Sequence, residues 1–149
     1  MSRRQTSDYT KVFSTILQKL SRKAVVHTIV ADFERATWAA LRETIPGINI
    51  IGCHVHWSQA VWRKVQEVGL QVQYSKDINI YRTVRSILAL PFLPIANVQA
   101  CLDTIRANAM ANDKLDLLLN YVKRYWMDLS SIHQECIQKG DTDHFFELF

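Results

Sequence analysis

Cysteine, proline and glycine are all scarce in this 149-residue chain, which holds three, three and four of them. The cysteines, Cys53, Cys101 and Cys136, are odd in number and far apart, so a disulfide scaffold is excluded as the source of stability. With so little glycine there is no Gly-rich phosphate loop, and neither G-x-S-x-G nor zinc-finger spacing occurs. Long hydrophobic runs are missing too. The longest, ILALPFLPIA at 87–96, is too short and too proline-broken to span a bilayer. No apolar leader follows the opening MSRRQTSDYTK, so the expected setting is a reducing intracellular one, nuclear or cytoplasmic, with no membrane partner. Internal repeats and low-complexity segments are absent from the pattern.

What is present suits a globular fold. Hydrophobic residues make up 48% and charged residues 21%, and four Trp, five Tyr and six Phe supply bulky apolar surface for a core. One domain is the default at this length. The net charge of +4 is unevenly spread. Residues 1–85 carry 13 Lys/Arg against 6 Asp/Glu, whereas residues 86–149 carry 5 against 8. A basic front half is compatible with a polyanionic partner, although most such charges only solvate a helix face.

Apolar spacing lays out the elements. Tyr9, Val12, Phe13, Ile16, Leu17 and Leu20 recur with a helical period. VVHTIVA at 25–31 is a β-branched run with no helical stripe and is expected to be a strand buried on both faces. FERATWAALRETI at 33–45 resumes a helix that Pro46 and Gly47 end, and INIIGC at 48–53 is a second strand. This order implies an α/β layer with a parallel strand pair. From residue 54 onward helices follow one another, at 58–69, 77–90, 97–111 and 113–127, with Pro91 and Pro94 as breaks. In the second of these, Ile78, Tyr81, Val84 and Leu88 form the expected apolar stripe. Tyr9, Tyr81, Tyr121 and Trp126 take core as their default. The DTDHFFELF end has no periodicity and is expected to be an exposed tail.

Two constellations could carry chemistry. Asp32 and Glu34 follow the first strand, and the carboxyl ends of parallel strands are where α/β proteins place their sites. Asp32 could hold Mg²⁺ or Mn²⁺ through hard oxygen ligands, or could cap the following helix. The second is C-x-x-H, Cys53 to His56, with His54 between. Zinc needs at least three protein ligands, and His133, Cys136 and His144 are distant and irregularly spaced. A Cys–His dyad would need an orienting third group, and a buried Cys beside a hydrogen-bonded His is the plain structural alternative. Trp57, Trp62, Arg63 and Lys64 could stack on bases or contact phosphates.

Taken together, TIVADFERATWAAL, INIIGCHVHWSQAVWRKVQEVGLQVQY and RTVRSILALPFLP resemble the MULE transposase domain, the catalytic core of Mutator-like DNA transposases. The matching positions are Asp32, Phe33, Glu34 and Ala36 in D-F-E-x-A, then Gly52, Cys53, His56 and Gln59 in G-C-x-x-H-x-x-Q. Arg63, Lys64, Gln66, Gly69, Leu70 and Tyr74 continue the pattern to Ala89, Leu90, Phe92 and Pro94, and Tyr9, Val12 and Phe13 fit its preceding helix. The resemblance implies a partial RNase H-like core over 1–76, two short parallel strands with flanking helices. An all-helical, insertion-like segment would follow over 77–127, then a divergent tail over 128–149. It also implies DNA transposition at transposon ends by metal-dependent strand cleavage and transfer, in which a D-D-E triad holds Mg²⁺ or Mn²⁺. Asp32 matches the second Asp, Cys53, His56 and Glu34 belong to the signature, and Arg63 and Lys64 are the DNA-contact candidates.

The triad is incomplete here. A first Asp should precede the Tyr9 helix on its own strand, and Asp8 lies on no strand pattern. Neither Glu135 nor Glu147 stands in the N-N-x-x-E-like context of the third carboxylate. The chain alone is therefore expected to hold no metal and to be inactive in isolation, with exposed sheet edges offering a route to self-association. The alternative functions are a DNA- or protein-binding module without catalysis, and a small zinc-stabilised domain.

Overall fold

The computed structural model describes residues 5–20 and 25–128. It is mostly helical, with one two-stranded parallel sheet, a mixed α/β arrangement. The chain divides into two compact units, one ending at Cys53 and the other beginning at His54.

The first unit runs α1 (Thr6–Lys19), β1 (Thr28–Ala31), α2 (Arg35–Thr44) and β2 (Asn49–Gly52). The strands pair in parallel with Thr28 opposite Asn49 and Ala31 opposite Gly52, so α2 serves as the crossover that a parallel pair requires. Gly47, at φ 81°, makes the turn after α2 that a side chain would resist. Helix α1 packs on α2, and the core residues of this unit are Trp38, Ala40, Leu41 and Ile50. Two expectations need correction. The strand is shorter than 25–31, and it is not buried on both faces: Thr28 and Val30 are exposed, Val30 at 59%. Two strands, with helices that pack on each other, leave one face of the pair uncovered. Along α1 the apolar set splits in the same way, with Tyr9, Phe13 and Leu17 half-buried and Val12, Ile16 and Leu20 exposed.

The second unit comprises α3 (His54–Glu67), α4 (Gln71–Lys76), α5 (Ile78–Ala89), a 3₁₀ turn (Leu90–Phe92), α6 (Ile95–Asn108) and α7 (Asp113–Val122), which passes into a π-helical stretch (Lys123–Asp128). Just past the end of helix α3, Gly69 at φ 73° turns the chain, and the Leu70 N–H donates back to the Val65 carbonyl. The Lys114 ammonium also donates to the Gly69 carbonyl at 3.1 Å. Asp77 caps α5 by accepting from the Asn79 and Ile80 amides, and Asn112 caps α7 in the same manner. The core gathers Trp57, Val61 and Val65 of α3, Ile80, Val84 and Ile87 of α5, Val98 and Leu102 of α6, and Leu115, Leu118, Leu119 and Val122 of α7. Trp57 meets Trp126 edge-on at 4.7 Å.

Helix α5 overturns a further expectation. Its buried stripe is Ile80, Val84 and Ile87, while Ile78 and Tyr81 lie on the outer side at 57% and 39% exposure. Tyr81 is not a core residue. Two stripes sharing Val84 compete in this sequence, and the fully aliphatic one turns inward. The tail from 129 onward, with His133, Glu135, Cys136, His144 and Glu147, lies outside the described residues.

Candidate functional site

The carboxyl ends of β1 and β2 bring the first set of candidates together. The Cys53 N–H donates to the Ala31 carbonyl at 2.8 Å, carrying the ladder one residue past β2. Cys53 is thereby held against the backbone that leads into Asp32. The Phe33 ring lies over the Gly52 Cα, so a Cβ at Gly52 would collide with it. Glycine in G-C-x-x-H thus has a packing reason: it lets an aromatic side chain close over the strand end.

Asp32 is exposed, and its Oδ1 accepts the N–H of Phe33 at 2.7 Å. It does not cap α2, whose N-cap position is Glu34 and carries no side-chain cap. The Asp32 carbonyl accepts the Trp38 indole N–H at 2.6 Å, which ties the loop to the buried tryptophan of α2. Glu34 is half-buried. Its Oε2 accepts the Tyr9 hydroxyl at 2.8 Å and the Thr37 hydroxyl at 3.2 Å. Glu34 therefore joins α1 to the start of α2 rather than standing beside Asp32 as a second open carboxylate.

The C-x-x-H is divided by the boundary between the units. Cys53 closes the first as a half-buried thiol, and His54 and His56 open the second on α3. His54 is half-buried, with Nε2 3.2 Å from the Leu88 carbonyl. A carbonyl only accepts, so in this contact Nε2 carries the proton. The Ser58 hydroxyl lies 3.3 Å from the same nitrogen, the Phe92 ring is tilted 4.4 Å away, and the Trp57 indole N–H donates to the Leu88 carbonyl at 3.2 Å. That carbonyl lies in the last turn of α5, where carbonyls lose their helical partners. His54 and Trp57 thus fasten α3 to the end of α5. His56 is exposed on α3.

Arg63 is exposed. Lys64 pairs with Glu67 at 2.6 Å and lies 5.5 Å from the centre of the Tyr121 ring.

No family model, curated protein or solved structure matches this chain. The arrangement of residues is therefore what bears on function. Among the described residues no three His, Cys, Asp or Glu side chains gather as metal ligands would. A divalent ion for phosphoryl chemistry needs several converging oxygen donors. Asp32 supplies one carboxylate, and Glu34 is engaged by two hydroxyls. This donor set does not fit a two-metal centre, so no hydrolytic step is assigned to these residues.

Proposed function

We propose that these residues are part of the core of a Mutator-like DDE transposase, in which Asp32 is the second carboxylate of the triad. In this reading the β1–α2–β2 unit is a portion of an RNase H-like sheet, and α3 to α7 are the approach to a helical insertion. The observation that supports it is the pairing of two motif ends on one sheet edge. Asp32 directly follows β1, Cys53 directly follows β2, and the Cys53 amide locks the two ends together through the Ala31 carbonyl. A carboxylate exposed at the carboxyl end of a parallel strand stands where α/β folds place reacting groups. Magnesium or manganese would bind only with carboxylates from outside the described residues, and these residues alone are inactive. The DNA partner is the transposon end, and the working compartment is intracellular, nuclear or cytoplasmic.

Sequencing the transcript through both ends of this reading frame tests the reading. An in-frame strand bearing a D-x-T-F-like Asp upstream and an N-N-x-x-E downstream would sustain it. In that longer protein Asp32→Asn abolishes strand cleavage. Flanks closed by stop codons would leave a binding module without catalysis. That second reading is favoured by one feature, the exposed arginines of α5.

A further inference from the structure

The outer face of α5 has a composition that packing does not explain. Ile78, Tyr81, Arg82 and Arg85 recur at i, i+3, i+4 and i+7, and all four are exposed. The helix holds no acidic residue. Arg82 and Arg85 make no ion pair or side-chain hydrogen bond among the described residues. Asp77, the nearest acid in sequence, has its carboxylate engaged in capping the helix. Tyr81 is the outermost of three rings: it lies 5.0 Å from Tyr74, which meets Trp62 edge-on at 5.1 Å. Beside this pair a shallow cleft of about 320 Å³ is lined by Tyr74, Ser75, Lys76, Asp77, Ile78 and Tyr81.

We infer that this face binds single-stranded nucleic acid, with an unpaired base on Tyr81 and phosphates on Lys76, Arg82 and Arg85. The charge calls for a polyanion, since three cations stand beside one engaged carboxylate. The ring decides the kind of polyanion. A base inside a duplex keeps its faces stacked on its neighbours, whereas a single strand presents them to an aromatic side chain. Tyr74 and Trp62 buttress Tyr81 from behind, which reduces the side-chain freedom lost on binding. The adjoining cleft lined by Ser75, Lys76, Asp77 and Ile78 leaves room for a neighbouring base or sugar. The proposal shares with the transposase reading only a nucleic-acid partner. It uses none of Asp32, Glu34, Cys53 or His56.

The test is fluorescence anisotropy of the full chain with labelled oligothymidylate and with a duplex of equal length, across a salt series. The single strand is expected to bind more tightly. Tyr81→Ala should weaken that binding roughly tenfold and leave the duplex unaffected, while Tyr81→Phe keeps the ring and restores it. Removing both arginines, Arg82→Ala with Arg85→Ala, should flatten the log K against log salt slope by about 1.4. Lys11→Ala with Lys19→Ala on α1 removes an equal charge elsewhere and should change neither quantity. All of these side chains are exposed, and an unchanged circular dichroism spectrum confirms folding. Equal affinity for duplex and single strand, or an unchanged slope in the double variant, overturns the proposal. A tyrosine-to-alanine variant that binds normally also overturns it. The transcript sequence decides the transposase reading and has no bearing on these affinities, so the two fail separately.

Discussion

At the Leu88 carbonyl, Trp57 and His54 meet at one acceptor that the end of α5 leaves available. Trp57 is buried, so Trp57→Phe forfeits a hydrogen bond in a dry setting and is expected to cost about 1 kcal/mol in urea unfolding. Gly52 depends on its neighbour instead. Gly52→Ala should destabilise by about 1–3 kcal/mol because the new methyl meets the Phe33 ring. In the Phe33→Ala background most of that penalty should vanish, a coupling that a double-mutant cycle reads directly. Some of these roles were legible in the residue pattern. The spacing places Trp126, the edge-on partner of Trp57, inside the core, and it is there. Tyr81 was also assigned to the core, because Ile78, Tyr81, Val84 and Leu88 make as good a helical stripe as Ile80, Val84 and Ile87. Periodicity weighs the two alike; burial of three aliphatic side chains, with no hydroxyl to satisfy, favours the second.

At the scale of the element, the helix starts separate by their caps. Asn112 accepts from Lys114 and Leu115, so Asn112→Ala should cost about 1 kcal/mol, measurable as a lowered melting temperature. Asp32 has the residue type of a cap but lies three residues before α2, and its carboxylate turns to the adjacent amide. Residue type alone could not reveal this, because the helix start depends on where Trp38 is anchored. The strands illustrate the same limit. Their existence and parallel pairing follow from two β-branched runs separated by a helix, but double-sided burial does not, because it depends on layers that a local run cannot encode. The helices with unbroken stripes were the most legible. In α7 and the turn after it, Leu115, Leu118, Leu119, Val122 and Trp126 all lie inside, as their spacing implies.

Across the whole molecule, the division at Cys53 and His54 had no sign in composition, since no Gly, Pro or Ser-rich linker marks it. The two units should differ in local stability. A two-stranded sheet is close to the minimum that holds together, whereas α3, α5 and α7 share a core of fully buried side chains. Hydrogen exchange on the full chain is expected to protect the amides of α3, α5 and α7 well beyond those of β1 and β2. Equal protection in both units would contradict that gradient. The candidate site was only partly legible. Motif order located Asp32 and Cys53 at one sheet edge, but the Glu34 hydroxyl contacts and the exposed α5 face depend on packing.

The parallel register of β1 with β2 also sets an order of events on the ribosome. Thr28 cannot find its partner until Asn49 has been synthesised, and α2 must close between them before either strand is paired. During that interval Ile29 and Val30 travel with nothing to pair with, in a segment rich in β-branched residues. Slower translation over 32–49 would lengthen the exposure, and a holding chaperone that grips extended apolar chain would find its binding site there.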